Sequence, residues 1–416
     1  MVTESERTEM CGTENPALAS RRPAVSNGTW PTAASPDSVI NLDVGDPTMY
    51  EAYWRSMGDR CSLVISGSDL MSYISNIRST CWFLVPELEK SIRRIHRVVG
   101  NAAAEAEDGR HIVVGTGSTQ LFQAALYALC PPGLPQPTSV VCAAPFYSCY
   151  QEVTELLQSN LYKWEGDAHS FNKDGPFIEI ITSPNNPDGS IREATVNRPN
   201  GKFVHDLAYY WPHYTPITHQ ADYDIMLFTF SKCSGHAGSR IGWAIVKDKE
   251  VAVKMTKFME VTTIGVSKES QLRAAKILGT ICDDCQALGA NTKSESFFDH
   301  AKRLMTERWD KLHEVVKRSE IFSFTKSPKN YCLFSTEFCE THPAFAWLKC
   351  NDKVKDCESL LRGHKILTRS GNRFGADPMY VRVSMLSREE VFNLFLERLS
   401  TLKIGISNRN GISHIN

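Results

Sequence analysis

Six short runs rich in β-branched and apolar residues recur through the middle of this chain: His111–Val114, Ser139–Ala143, Phe177–Ile181, Lys202–His205, Ile225–Phe230 and Gly242–Val246. They alternate with helix-like segments, the signature of βαβ units wound around a mainly parallel sheet. The pattern predicts an α/β fold and says where its chemistry sits. In an open α/β sheet, ligands bind beyond the carboxyl ends of the strands. Just after these runs the chain concentrates its Gly, Pro and polar residues.

The fifth run leads through Phe228-Thr229-Phe230-Ser231 to Lys232, then through a Gly-rich turn to Arg240. A lysine held out of water loses its proton near neutral pH and attacks an aldehyde, and an arginine holds a phosphate through two parallel hydrogen bonds. Pyridoxal phosphate needs both, although an exposed lysine beside a surface arginine has the same local sequence. After the first run, Gly115-Thr116-Gly117-Ser118-Thr119-Gln120 opens the apolar segment Leu121 to Cys130. Free N–H groups, the positive end of a helix dipole and the hydroxyls of Ser118 and Thr119 make a phosphate cradle, though many ordinary strand-to-helix turns look alike. The turn lacks the Gly-Lys-Ser/Thr ending of a nucleotide P-loop, and Gln120 stands where a dinucleotide fingerprint needs glycine.

Ser183-Pro184-Asn185-Asn186-Pro187-Asp188-Gly189 follows the third run and reads equally well as turn punctuation. The fourth run ends in Asp206, with Tyr209 three residues on. An acid buried at the end of an apolar strand needs a cation to offset its desolvation. A protonated pyridine nitrogen would serve.

With 416 residues and 42% hydrophobic content, the chain exceeds the usual size of one domain, and two are expected. Its 46 basic and 47 acidic residues are dispersed, which points to a small-molecule partner rather than nucleic acid. The 13 cysteines lack the dense spacing of a disulfide-stapled secreted domain and fit a reducing, cytoplasmic setting. Cys282 and Cys285 form one CxxC without a second pair at zinc-finger spacing, so no metal is expected. Residues 1–37 read as a disordered tail, and 404–416 as a second tail. No run reaches the ~18 apolar residues of a membrane span, and residues 1–37 lack an apolar run long enough for a signal peptide, so none is expected. The acceptor motif Asn27-Gly28-Thr29 is therefore expected to stay unmodified.

Several dispersed stretches, in order, resemble one family. They include Leu42-Asp43-Val44-Gly45-Asp46-Pro47-Thr48, Asp69-Leu70-Met71-Ser72-Tyr73, Val113 to Gln120, Ser183 to Gly189, Tyr209-Tyr210-Trp211-Pro212-His213-Tyr214 and Val381-Arg382-Val383-Ser384-Met385-Leu386. From about Ile40 to about Lys403 the chain resembles fold-type I pyridoxal-phosphate enzymes of the aminotransferase branch. More narrowly it is similar to the plant alliinase-like family, and within it to the tryptophan aminotransferases that make indole-3-pyruvate for auxin synthesis.

The resemblance implies roles for single residues. Lys232 would bind the cofactor covalently and act as catalytic base. Asp206 would pair with the ring nitrogen, Asn186 and Tyr209 with the phenolate oxygen, and Tyr147 would stack on the ring. Gly117, Ser118, Thr119 and Arg240 would hold the phosphate, with Thr229 a further candidate. Arg382 would clamp the substrate carboxylate, beside Asn186. Tyr73 would reach the phosphate of a neighbouring subunit, implying a homodimer; a core aromatic is the alternative for that residue. A large cofactor domain would span 98–279, and a small domain 40–97 with 280–403. The resemblance leaves other chemistry open: a carbon–sulfur lyase acting on S-alkyl cysteine sulfoxides, or an inactive homologue retained as a binding protein.

Overall fold

A computed structural model describes residues 35–402, apart from 108, 288–294 and 326–327. The Asn27 motif, the tail from 404 and all of the first tail before Ser35 lie outside the described residues.

The large sheet has seven strands: β1 His111–Gly115, β2 Thr138–Cys142, β3 Tyr162–Asp167, β4 Phe177–Thr182, β5 Gly201–Asp206, β6 Ile225–Thr229 and β7 Gly242–Val246. Their spatial order is β1-β7-β6-β5-β4-β2-β3. Strand β7 runs antiparallel to both neighbours, and the other pairings are parallel. β2, β4, β6 and β7 are buried along their whole length, as expected of strands covered on both faces by helices. All six strand expectations correspond to strands of this sheet; β3 does not figure among them. Its residues Tyr162, Lys163 and Trp164 alternate buried and exposed, and a register irregularity opposite β2 breaks the pattern.

The helix α1, Pro86–Val99, shows how the covering layer is encoded. Pro86 occupies the first turn, where its missing N–H costs nothing, and Gly100 ends the helix in a left-handed conformation at φ 72°. Between them Leu88, Ile92, Ile95 and Val99 form one buried stripe. The other helices used below are α2 Ser118–Leu129, α3 Cys149–Leu156, the single turn α4 Phe230–Cys233, α5 Lys249–Thr263, α6 Lys268–Ala287 and α7 Phe297–Arg318. Helix α1 packs along α6. The expected domain boundaries at 97/98 and 279/280 fall inside these two helices. A continuous helix spans each of these positions.

A separate four-stranded antiparallel sheet is formed by β8 Phe322–Ser323, β9 Phe345–Cys350, β10 Arg369–Ser370 and β11 Tyr380–Ser384, in the order β10-β11-β9-β8. A two-residue strand, Ile40–Asn41, pairs in parallel with Ile366–Leu367 and leads Asp43 and Gly45 toward the large sheet. Cys350 and Cys357 are linked as a disulfide, while ten thiols among the described residues are free. The end of β9 and the start of helix Cys357–Gly363 bring the two Cα atoms to 5.9 Å, a proximity that scattered spacing conceals. Among the described residues no helix is long and apolar enough to cross a membrane.

Candidate active site

A cavity of about 260 Å³ opens at the carboxyl ends of β4, β5 and β6. Most residues singled out in the sequence meet there. A larger cavity of about 840 Å³, beside Trp309, Phe324 and Trp347, is lined by none of the residues given a cofactor or substrate role above.

Lys232 arises from α4, the turn that follows β6. Thr229 caps this turn by accepting the Ser231 N–H at 3.2 Å, and its side chain also lines the cavity. The Lys232 Nζ donates to the Gly45 carbonyl and lies 5.9 Å from the centre of the Tyr209 ring. Burial lowers its pKa to about 8, with help from the Arg382 charge and against the opposing pull of Asp46. A Cβ at Gly45 would sit 3.2 Å from Nζ and 2.7 Å from the Phe345 ring, so only glycine lets this backbone approach the amine.

Ser118 and Thr119 begin α2 and line the opposite wall with Arg240. Gly117, at φ 82°, precedes them, and a Cβ there would meet the Arg240 guanidinium at 2.7 Å. Arg240 donates to the Ala237 carbonyl at 3.0 Å and forms no ion pair among the described residues. Helix N–H groups, two hydroxyls and a guanidinium with no ion pair among the described residues thus converge on one spot, a donor set made for a phosphate.

Asp206 closes β5, buried to 8% exposure. Its Oδ2 accepts the Tyr150 hydroxyl at 2.7 Å, and its Oδ1 accepts the Ala208 N–H at 3.1 Å. Burial raises its carboxyl pKa, opposed by these two hydrogen bonds. No cation among the described residues pairs with it, so the carboxylate is suited to a cation arriving in the cavity. Tyr147 and Tyr209 line the same space, and burial lifts the Tyr147 phenol to about 12.

Arg382 lies in β11 with only 2% exposure. It donates from Nη1 to Asn186 Oδ1 at 3.0 Å and from Nη2 to the Asp43 carbonyl. The Phe345 ring stacks under the guanidinium at 4.0 Å, and Nε is buried with no partner among the described residues. Burial and the neighbouring Arg369 lower its pKa to about 10, which leaves it charged at neutral pH.

Two features escaped the sequence. Tyr150 and its neighbour Thr182 support Asp206, and Asp43 with Arg369 supports Arg382; nothing local to those residues marks them. Tyr73 is not brought to this chain's own cavity. It is 63% exposed, edge-on to Trp82 at 5.9 Å, which excludes the alternative of a core aromatic.

The lysine amine, the phosphate donor set and the buried unpaired acid together fit pyridoxal phosphate. The comparisons agree with that fit. A family model described as allinase matches residues 40–403. Tryptophan aminotransferase-related protein 2 of Oryza sativa subsp. japonica is 53% identical over 403 residues, covering 93% of this chain and 79% of that one. An alliin lyase of Allium cepa is 37% identical over 368 residues, covering 86% and 75%. Among solved structures, an aspartate aminotransferase of Thermus thermophilus with maleate superposes with a TM-score of 0.61 at 16% identity, covering 87% of this chain and 91% of that one. The architecture is that of fold-type I enzymes, and the chain belongs to the allinase family of pyridoxal-phosphate-dependent proteins.

Proposed function

We propose that this protein is an L-tryptophan aminotransferase, passing the amino group of tryptophan to a 2-oxo acid such as pyruvate and yielding indole-3-pyruvate for auxin synthesis. The observation that carries an aminotransferase reading is a cavity-lining lysine with a pKa of about 8 next to a buried arginine, Arg382, which donates to the cavity-lining Asn186 and whose Nε has no partner among the described residues. Tryptophan as the donor is supported by likeness: 53% identity to a tryptophan aminotransferase-related protein against 37% to an alliin lyase.

In this reading Lys232 holds pyridoxal phosphate covalently, Gly117, Ser118, Thr119 and Arg240 hold its phosphate, and Thr229 stands beside them. Asp206 pairs with its ring nitrogen, Asn186 and Tyr209 with its phenolate oxygen, and Tyr147 packs on its ring. The bound cofactor supplies an electron sink for the charge left on the substrate α-carbon. Arg382 grips the α-carboxylate through its planar fork and so turns the α C–H toward Lys232. Freed when the substrate's amino group takes its place, the Lys232 amine, neutral in an appreciable fraction of molecules, would take that proton and return it. Where the proton returns separates amino transfer from loss of a β substituent. The alternative reading, a lyase acting on S-alkyl cysteine sulfoxides, draws on the likeness to alliin lyase.

A homodimer belongs to the proposal. Val64, Met71, Tyr73 and Ile77 are 63% exposed or more, an apolar stretch suited to a second copy whose phosphate site Tyr73 would reach. A cytoplasmic setting is part of the proposal; it draws on the ten free thiols among the described residues and has the Cys350–Cys357 disulfide against it. Purified protein given tryptophan and pyruvate should form indole-3-pyruvate. Release of pyruvate from S-alkyl cysteine sulfoxides instead would establish the lyase, and the lack of any cofactor absorbance near ~420 nm would mark an inactive homologue.

A further inference from the structure

We propose that Tyr150, backed by Thr182, is a positioning residue that keeps the Asp206 carboxylate ionised and aimed into the cavity. The proposal rests on the assignment of Asp206 to the cofactor's ring nitrogen made above.

Three elements meet at this point. Thr182 and Asp206 are the last residues of β4 and β5 and stand in register across the parallel pair. Tyr150 reaches both from α3, with its hydroxyl 2.7 Å from Asp206 Oδ2 and 2.6 Å from Thr182 Oγ1. The phenol has one hydrogen, and an ionised carboxylate can only accept. The hydrogen therefore goes to Asp206, and Thr182 donates to the phenol oxygen. Every donor in the chain points toward the acid, an arrangement in which each bond polarises the next.

Among the described residues the other donor to Asp206 is the Ala208 N–H, only two residues away in the chain. It moves with the acid and cannot hold it against the sheet. Tyr150 is the tie to a separate element. Its phenol stays protonated because burial and the Asp206 charge both raise its pKa. Its ring packs edge-on against Tyr147 at 5.5 Å and is tilted on Phe122 at 5.3 Å. One residue thus orders both the acid and the aromatic that lines the cavity beside it.

Tyr150→Phe removes the hydrogen bond and keeps the ring. Without its donor, Asp206 becomes more basic and takes up a proton at higher pH, and a protonated acid no longer pairs with a pyridinium. Protein stripped of cofactor is titrated with pyridoxal phosphate over the acid and neutral range, following the cofactor's absorbance. Tyr150→Phe is expected to bind on the order of tenfold to a hundredfold more weakly, the range for a hydrogen bond to a charged group. The acid limb of its binding curve should move to higher pH. Thr182→Val should shift both in the same direction by less, and it carries the test if Tyr150→Phe does not fold. Parental affinity with an unmoved acid limb overturns the proposal. Weaker binding with an unmoved limb overturns it too, since that is what a purely structural tyrosine would give. Asp206→Asn separates this from the reading beneath it. If that variant binds the cofactor like the parent, the assignment of Asp206 itself fails; if it binds weakly while Tyr150→Phe does not, only the role of Tyr150 fails.

Discussion

Arg369 holds the Asp43 carboxylate in a two-pronged grip, through Nε to Oδ1 and through Nη2 to Oδ2 at 3.2 Å. Arg369 is also the cross-strand neighbour of Arg382 in the β10–β11 pair, and its Nη1 donates to Ser148 Oγ at 2.9 Å. Two guanidinium groups thus stand side by side with opposite fates. The Asp43 carboxylate engages Arg369, while its Oδ1 remains 3.9 Å from Arg382 Nη2. The grip holds that carboxylate at the outer edge of ion-pair distance from the arginine assigned to the substrate.

Arg369→Met should release Asp43 to pair with Arg382. The freed carboxylate then competes with the substrate's, so KM for the amino acid should rise by about tenfold, the size of one charge-assisted contact, with kcat changed much less. The double variant Arg369→Met with Asp43→Asn removes the competitor and should recover most of the lost affinity. Steady-state kinetics decide the matter: an unchanged KM in the single variant, or no recovery in the double, would show that the grip serves stability alone.

Capture of the cofactor by Lys232 should depend on pH in a defined direction. The attacking species is the neutral amine, and burial with the Arg382 charge lowers the lysine pKa to about 8. Below that value each pH unit should cost roughly a factor of ten in the rate at which cofactor-free protein attaches pyridoxal phosphate. Above it the rate should level off. Stopped-flow absorbance gives this rate directly, and a midpoint near that of an ordinary lysine would mean that the amine is better solvated than its surroundings imply. Lys232→Ala should lose both attachment and turnover.

The site was legible where chemistry coincides with strand ends. Lys232, Asp206 and Asn186 each follow an apolar run, and a charged or amide group in that position is conspicuous. Ser118 and Thr119 were visible as a glycine turn before a helix. Arg382 owed its role to family likeness, because an arginine within an alternating strand usually points to solvent. Tyr150 was invisible for a physical reason: Cys149–Leu156 is an ordinary short helix, and only the three-dimensional meeting of α3 with β4 and β5 turns its tyrosine toward Asp206. The Asp43–Arg369 pair, 326 residues apart in the chain, is likewise created by tertiary packing alone. Edge strand β3 hid behind its polar alternation, since a strand with one partner need not be apolar on both faces.

Acid should destabilise the protein through histidines buried in their neutral form. His96 accepts the Trp243 indole N–H on Nε2 at 2.9 Å, so its proton resides on Nδ1 and is donated to Asn101 Oδ1 at 2.8 Å. Asn101 in turn donates to the Tyr210 carbonyl at 2.7 Å, beside Tyr209. Burial lowers the His96 pKa to about 4 and that of His213 to about 3. The unfolded chain binds these protons near pH ~6.5 and the folded chain resists them. The stability is therefore fully present above that pH and is lost as the pH falls through it toward the folded values. For His96 the loss is on the order of 3 kcal/mol by the time the folded pKa is reached. Chemical denaturation at neutral and mildly acid pH should show that decline, and His96→Gln should flatten it; a parental slope in the variant would remove His96 from the account.

Gly45→Ala tests whether the amine of Lys232 works only at its present position. The added Cβ would lie 2.7 Å from the Phe345 ring, closer than carbon atoms approach. Phe345 has little room to yield, being 3% exposed and stacked under Arg382 at 4.0 Å. With Phe345 held, the Gly45 backbone must shift away from the ring, and the Lys232 amine, 3.2 Å from the same Cβ at the end of a flexible chain, is displaced with it. A displacement of about an ångström at a reacting group costs on the order of a hundredfold in rate. Gly45→Ala should therefore lose about that much in kcat while still taking up pyridoxal phosphate, since the phosphate donors and Asp206 lie on other walls of the cavity. Cofactor absorbance and kcat measured on one preparation distinguish the outcomes. Parental turnover would mean that Phe345 moves instead, and KM for the amino acid would then rise because the ring carries the Arg382 guanidinium with it.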